Sequence, residues 1–246
     1  TWGDLVRPYA SPIASIAAVV SIAACSTVAM GAGSPVPGPP SATDSWVATI
    51  DRSVYARVAP SSSARVRTLV SATAPLGGGQ TRLLVRRSVE RQGERWLDVA
   101  LPIRPNGSHG WIPEHATSTA QTPYRITVNL TTRRLTLFRS GRPIMKVPVA
   151  VGQPSTPTPT GSFAVAEEIR TRIPGNFIGP VVLPLTGFSR VLNEFAGGHG
   201  RVAIHGTSVP HLIGTRASHG CIRLRNRDVV RLARIITPGT PVRIHP

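Results

Sequence analysis

The chain has 246 residues, which is enough for one large domain or two smaller domains with buried cores. It contains only two cysteines, which excludes a disulfide-rich scaffold, and its formal net charge is +17 at pH 7. Residues 123–246 hold most of that charge, with 17 Lys and Arg against 4 Asp and Glu. Such a field attracts polyanions, but no nucleic-acid-binding motif is present, so nucleic acid is not the expected partner.

The first 43 residues have the composition of an export segment. A short apolar run, Ile13–Ala24, is followed by small residues and the Pro-rich stretch Pro35–Pro40. The Ile-Ala-Ala-Cys sequence ending at Cys25 resembles a bacterial lipoprotein cleavage box, which makes Cys25 a lipidation candidate. Cleavage near Ala32, or retention as a membrane anchor, are the alternatives. We therefore expect an extracytoplasmic cell-envelope protein, anchored by a lipid or by this segment, whose positive charge meets anionic wall polymers or a lipid surface.

Residues 44–116 predict a small all-β module. Short β-branched or alternating runs are separated by turn residues, and their number favours a five-strand barrel with long loops. The stretch from Arg95 to Val99, followed by Gly110-Trp111-Ile112, resembles the bacterial SH3-like domain, whose members bind wall peptides or position a partner domain. Trp96 and Trp111 are either core residues or part of such a surface. The predicted strands are Ser45–Ile50, Ser53–Val58, Leu83–Arg87, Arg95–Val99 and Gly110–Pro113.

Residues 117–122 are polar and predict a linker, so we place the start of a second domain at residue 123 and its end at 246. Alternating runs at 125–130 and 134–138 predict a hairpin, and Ile144–Val151 predicts a third strand. The loop Thr158–Phe163 is stiffened by proline and turns at Gly161.

The Pro- and Gly-interrupted stretch 173–193 could line or cover a cleft. Within it, Phe177 and Phe188 are assigned to the core. Asn226 is expected to cap a helix with one apolar face, and 241–244 predicts a closing strand.

The residues with the clearest chemical potential lie between 202 and 223. Val202–Ile204 predicts a strand that delivers His205 at its end, and a Ser-His-Gly-Cys turn ends at Cys221. A thiol becomes nucleophilic near neutral pH only beside a base or a positive field. We therefore hypothesise that Cys221 is a nucleophile and His205 its general base. Gly220 allows the turn to aim backbone N–H groups at one point beside the sulfur.

The region from 199 to 223 has three other interpretations: a structural cysteine, a metal site and a serine nucleophile. A lone cysteine is often only a small buried hydrophobic residue. Four histidines between 199 and 219 could suggest a metal, but no Asp or Glu lies between Glu194 and Asp228, and no metal-binding spacing is present. No G-x-S-x-G sequence supports a serine nucleophile. We therefore expect neither a metal nor a cofactor.

The sequence H-G-T, a spacer, and then S-H-G-C-I-R-L resembles the L,D-transpeptidase catalytic domain (YkuD-like) family. The loop T-P-T-G-S-F and the hairpins before it match the same family, so the resemblance covers residues 123–245. It implies a mainly β protein, with the SH3-like barrel followed by a YkuD-like β-sandwich catalytic domain that has one short C-terminal helix. It also implies that Cys221 is the nucleophile and His205 the proton donor and acceptor. Further implied site residues are Ser218, His219 and Gly220 around the oxyanion, and Arg223, Gly206 and Thr207 at the substrate.

The function implied by this resemblance is cross-linking of peptidoglycan through a cysteine thioester, with release of D-alanine from a donor stem tetrapeptide. The same site could act as an L,D-carboxypeptidase if water replaced the acceptor amine. A non-catalytic cationic wall-binding protein is the alternative from another class. Peptidoglycan stem peptides are the implied partners, and β-lactams of the carbapenem type are the implied inhibitors.

Overall fold

The computed structural model describes residues 36–171, 175–194 and 199–246, so the lipidation candidate Cys25 lies outside the described residues. Residues 36–246 form one compact unit. The secondary structure of the described residues is mainly β, with a single α-helix, and no helix among them is long and apolar enough to cross a bilayer.

The N-terminal half is one seven-stranded sheet. Its strands pair in the order β3-β2-β6-β5-β4-β1-β7. No pairing between the edge strands β3 and β7 is found in the described part of the chain, so the predicted five-strand barrel is wrong: the sheet has seven strands and stays open. The strands are β1 Ser45–Ile50, β2 Val54–Arg57, β3 Val66–Val70, β4 Arg82–Arg91, β5 Glu94–Ala100, β6 His109–Pro113 and β7 Thr117–Thr122.

Two edge strands account for the difference from the sequence prediction. Strand β3 was not predicted, and β7 occupies the residues predicted as a linker. All six residues of β7 pair antiparallel with β1. Because an edge strand is solvated on its free side, it can be built from polar residues such as the Thr, Ser and Gln of β7, which do not show the apolar alternation of a buried strand.

The C-terminal half carries the remaining strands and the helix. A five-stranded sheet has the order β10-β9-β8-β18-β12, a four-stranded sheet has the order β13-β14-β15-β17, and β11 pairs with β16. The elements are β8 Tyr124–Asn129, β9 Arg134–Arg139, β10 Arg142–Pro148, β11 Val151–Gly152, β12 Gly161–Ala164, β13 Ile169–Arg170, β14 Val181–Phe188, β15 Arg201–His205, β16 Arg216–Ser218, β17 Ile222–Arg223, α1 Asn226–Ala233 and β18 Pro241–His245.

Each half has its own cluster of buried apolar side chains. The side chains of the N-terminal cluster come from the sequence range 48–112, and those of the C-terminal cluster come from the range 126–244. Helix α1 packs its buried residues Val229, Leu232 and Ala233 on the second cluster, as its apolar periodicity predicts. Both Trp96 and Trp111 are buried. The SH3-like identity of the first half and the domain boundaries stay predictions.

Hydrogen bonds join the two halves at positions far apart in sequence. The side chain of Asn106 donates to the carbonyl of Phe188 (2.8 Å) and accepts from its N–H (2.7 Å), as a neighbouring strand would. Arg104 donates to the carbonyls of Ser189 and Leu192, both at 3.0 Å. Phe188 is buried, as predicted, and lies against the guanidinium of Arg104. The loop 101–109 of the first half therefore holds the end of strand β14 in the second.

Candidate active site

Strand pairing brings the two proposed catalytic residues into one site. Strands β15 and β17 run parallel, with Ile204 opposite Ile222 and His205 opposite Arg223. Cys221 directly precedes β17, so its backbone lies level with Ala203. The predicted strand that ends at His205 is confirmed, and both His205 and Cys221 line the same pocket.

The Ser-His-Gly-Cys turn is held by Ser218. Its side chain is fully buried, donates to the carbonyl of Cys221 (2.6 Å) and accepts from the N–H of Gly220 (3.2 Å). Gly220 has φ +113°, a backbone conformation that a side chain would strain, which explains the glycine in the motif. In this structure, Ser218 and the Gly220 N–H hold the turn together.

The Thr-Pro loop packs behind this turn. The N–H of Gln153 donates to the carbonyl of Ser218 (2.9 Å), and the side chain of Thr158 accepts from the N–H of Gly152 (2.8 Å). A Cβ added at Gly152 would lie 2.4 Å from the carbonyl oxygen of Thr156, so only glycine fits there. The two sequence elements that carried the family resemblance are therefore neighbours in space, and one supports the other.

The turn after His205 is fixed by a residue that the sequence assigned to another role. The Oδ1 atom of Asn226 accepts from the N–H of Thr207 (2.8 Å). A Cβ added at Gly206 would lie 2.3 Å from the same oxygen, so the turn can pass Asn226 only as glycine. Asn226 is the first residue of α1 and does not cap it; Arg225 occupies the cap position without a side-chain bond. The capping prediction is therefore wrong.

The pocket combines apolar side chains with polar and charged groups and has a cavity volume of about 280 Å³. The polar groups are the thiol, two imidazoles and two guanidinium groups. Phe177, which was assigned to the core, has 57% of its surface exposed and lines the pocket instead. The lining residues are Leu76, Ile169, Phe177, Ile178, Val182, Pro184, Arg201, Ala203, His205, His219, Cys221 and Arg223.

Burial keeps His205 neutral. Its ring is 4% exposed, and Nδ1 lies 2.6 Å from the carbonyl of Gly206, which assigns the ring proton to Nδ1 and leaves Nε2 as an acceptor. The pKa of His205 is lowered to about 4, first by desolvation and then by the positive charge of Arg223, although the carbonyls of Gly206 and Ile178 favour the protonated ring. Near neutral pH, this histidine is therefore an unprotonated base.

Burial also favours the neutral form of Cys221. Desolvation raises the pKa of its thiol, while a hydrogen bond from the N–H of Ala203 and the charge of Arg223 lower it. The resting pair is therefore a thiol beside a neutral imidazole. The two groups that offset desolvation at the sulfur, Ala203 and Arg223, are fixed by the pairing of β15 and β17.

Arg201 adds a second guanidinium to the pocket. Its Nη2 donates to the carbonyl of Pro102 (2.9 Å), and Nη1 lies 3.7 Å from the carboxylate of Glu167. Burial lowers the pKa of Arg201, while Glu167 raises it. In the described ranges, Arg201 Nη1 and Arg223 Nε are buried atoms without a hydrogen-bond partner.

The predicted site residues that the structure describes divide into two groups. Cys221, His205, His219 and Arg223 line the pocket together. Ser218, Gly220, Gly206 and Thr207 hold the two turns behind it. No group of three or more His, Cys, Asp or Glu side chains that could hold a metal occurs among the described residues.

Sequence reasoning missed Leu76, Glu167, Arg201 and Asn226. None of these contacts carried a sequence signal, and Asn226, close behind the cysteine motif, matched the pattern of a helix cap instead.

Comparison with known proteins identifies the C-terminal half. Residues 123–244 match the L,D-transpeptidase catalytic domain (YkuD) family. The YkuD protein of Bacillus licheniformis is 40% identical over 124 residues, which cover 50% of this chain and 67% of that protein. The YkuD protein of Bacillus subtilis is 39% identical over 123 residues, covering 50% and 66%.

A solved structure, L,D-transpeptidase 3 from Mycobacterium tuberculosis in complex with a faropenem-derived adduct, is 14% identical with a TM-score of 0.43, covering 62% of this chain and 91% of that one. The family match over residues 123–244 covers the cysteine motif, the turn after His205 and the Thr-Pro loop. The chain belongs to the YkuD family of L,D-transpeptidase catalytic domains.

Proposed function

We propose that this protein is a peptidoglycan L,D-transpeptidase that works through a thioester on Cys221. The observation that carries the proposal is the joint placement of Cys221 and an unprotonated His205 in one pocket, within a chain of this family. The donor is a stem tetrapeptide, the acceptor is an amine on a second stem, and no metal or nucleotide is required because the thioester conserves the energy of the donor peptide bond.

In the first half-reaction, the Cys221 sulfur attacks the carbonyl before the terminal D-alanine, and its proton passes to Nε2 of His205. The Nδ1–H group keeps donating its hydrogen bond to the carbonyl of Gly206, which orients the ring. The C–N bond then breaks, and the D-alanine amine leaves with the proton held by His205. Because the pKa of His205 is lowered to about 4, its protonated form is a strong donor for that leaving amine.

In the second half-reaction, the acceptor amine attacks the thioester carbonyl. A new C–N bond forms, the C–S bond breaks, and the amine proton returns through His205 to the sulfur. The developing oxyanion would be held by backbone N–H groups of the turn that ends at Cys221. Arg223 would meet a carboxylate of the substrate. A bound carboxylate would offset the charge of Arg223, raise the pKa of His205 and so make it a stronger base.

The product separates this function from its alternatives. Protein mixed with a disaccharide-tetrapeptide is expected to give a cross-linked dimer and free D-alanine, detected by liquid chromatography and mass spectrometry. Tripeptide without dimer would make the protein an L,D-carboxypeptidase. Binding to peptidoglycan without any turnover would favour the cationic wall-binding protein.

Partners and location extend the proposal. We propose that carbapenem-type β-lactams acylate Cys221, since a strained amide offers the same carbonyl to the sulfur. The excess of arginine suits contact with anionic wall polymers or a lipid surface. An extracytoplasmic location, with Cys25 as the lipidation candidate, follows from the apolar and Pro-rich sequence of residues 1–43.

A further inference from the structure

One residue of the catalytic pocket comes from the N-terminal half. Leu76 lies in the loop between β3 and β4, and it lines the same pocket as Cys221 and His205. Its side chain is 57% exposed, so the fold gains little from a leucine at this position. An exposed leucine beside a nucleophile is available to a ligand.

The tip of this loop, Leu76 and Gly77, is anchored to the catalytic half. The backbone N–H groups of both residues donate to one carboxylate oxygen of Glu167, at 2.9 and 2.8 Å. The side chain of Glu167 is 4% exposed, and its other oxygen faces Arg201. Charge-assisted hydrogen bonds from two successive N–H groups fix both the position and the orientation of the tip.

Close packing at Gly77 completes the anchor. A Cβ added there would lie 2.8 Å from the carbonyl oxygen of Glu168, a contact that backbone cannot relieve without moving. The close approach of this loop to the backbone of Glu168 therefore depends on glycine at position 77. By contrast, a Cβ at Gly79 would meet nothing within 4 Å, although it lies in the same loop.

The other residues beside Leu76 define what it would contact. Ile169, Phe177 and Ile178 add apolar surface to the same pocket, and Arg201 and Arg223 add positive charge. Such a pocket fits a substrate segment that carries both an aliphatic chain and an anionic group. We propose that Leu76 is a specificity-determining residue that contacts an aliphatic segment of the donor stem peptide, and that Glu167 is the positioning residue that holds it there. This inference rests on the proposed function.

The first test compares two exposed leucines of the N-terminal half. Leu76→Ala is expected to lower kcat/KM for the disaccharide-tetrapeptide about fivefold, mainly through KM, because apolar contact area is lost. Leu76→Met, which conserves volume, is expected to stay within about twofold of wild type. Leu69→Ala is the matched control, since Leu69 is 56% exposed and lies outside the pocket.

The second test moves the loop tip without replacing any residue that lines the pocket. Gly77→Ala is expected to reproduce the rise in KM, because the added Cβ displaces the tip from Glu168, whereas Gly79→Ala is expected to match wild type. When Leu76→Ala is already present, adding Gly77→Ala is expected to change KM by less than about twofold, because both substitutions act through the contact between Leu76 and the donor.

Two readouts keep this inference separate from the proposed function. The rate of Cys221 alkylation by iodoacetamide is measured in every variant, so that changes at the nucleophile are recognised. A wild-type protein that forms no adduct with the donor would overturn the proposed function. A wild-type protein that turns over the donor, with Leu76→Ala equal to Leu69→Ala, would overturn only the role of Leu76. Loss of both donor turnover and alkylation in Leu76→Ala would also overturn it, because the residue would then be structural.

Discussion

The sulfur of Cys221 is subject to opposing electrostatic influences. Burial raises the pKa of the thiol, whereas the N–H of Ala203 and the guanidinium of Arg223 lower it. The same guanidinium lowers the pKa of His205. Arg223 therefore favours the thiolate and disfavours the imidazolium, which makes it the residue whose charge most directly sets the proton balance of the pair.

Removing the positive charge of Arg223 should raise the pKa values of both Cys221 and His205. In Arg223→Gln, the pH midpoint for Cys221 alkylation by iodoacetamide is expected to shift to higher pH than in wild type, because the thiolate loses a favourable charge. The rate of alkylation is measured across pH 5 to 11, about the range in which thiols titrate. Arg231→Gln is the control, because Arg231 is exposed on α1 and its replacement removes the same charge from a position on the surface. An unchanged midpoint in Arg223→Gln would contradict the assigned role.

Burial of His205 should also appear in the stability of the protein. Because the pKa falls from 6.5 in the unfolded chain to about 4 in the folded protein, the unfolded state binds a proton first as the pH falls. This contribution to stability is complete above pH 6.5 and is lost as the pH falls through about 4. Its full size is about 3 kcal/mol.

Urea denaturation at pH 7 and pH 4 measures this effect. The free energy of unfolding is expected to fall more between these values in wild type than in His205→Asn, which has no imidazole to titrate. Equal losses in the two proteins would show that His205 is not the buried, neutral group described above.

At the scale of secondary-structure elements, the site depends on two turns and the loops that hold them. Ser218 fastens the cysteine turn, the Thr-Pro loop packs behind it, and Asn226 fastens the turn after His205. The strands set the register, and these side chains then fix the turns at their ends.

The contact from Asn226 can be tested with an isosteric pair. Asn226→Ala is expected to lower kcat/KM about fivefold, since a hydrogen bond of about 1 kcal/mol that orients the turn is lost. Asn226→Asp keeps an acceptor for the Thr207 N–H and should retain most of the activity. Steady-state kinetics with the tetrapeptide donor give both values. A fall of the same size in Asn226→Asp would rule out an acceptor role.

Elements whose apolar residues recur with a clear period could be predicted from the sequence, and elements without such a period could not. The strand before His205 and the helix after Asn226 follow from alternating and 3.6-residue apolar patterns. Strand β7 is made of small polar residues at a sheet edge, so its composition indicated a linker. Asn226 was misassigned because a polar residue before an apolar helix is typical of a cap, and only the fold shows the turn that it contacts.

At the scale of the whole molecule, the two halves hold each other in place around the pocket. The N–H of Leu76 donates to the carboxylate of Glu167, 91 residues away in sequence. The guanidinium of Arg201 donates to the carbonyl of Pro102, 99 residues away. Local patterns carry no information about such pairs, which explains why the sequence singled out the motif residues Cys221 and His205 and omitted Leu76. The charge of the chain is visible in composition, but its distribution around the site depends on the fold.

The junction at Asn106 should contribute to the stability of the whole protein. Asn106→Ala removes two hydrogen bonds and leaves the N–H and carbonyl of Phe188 unpaired, so it is expected to lower the free energy of unfolding by about 2 kcal/mol. Urea denaturation measures the change. Gln121→Ala, at an exposed position of the edge strand β7, is the control and should have little effect. Equal stability of the two variants would show that the halves are not joined through this contact.

The central claim is that Cys221 forms a thioester with the donor. Intact-protein mass spectrometry of the chain mixed with a disaccharide-tetrapeptide, followed by peptide mapping, tests it directly. We expect an adduct on Cys221 whose mass equals that of the donor less D-alanine, and no adduct in Cys221→Ala. Turnover that persists in Cys221→Ala, or an adduct on a different residue of the wild type, would contradict it.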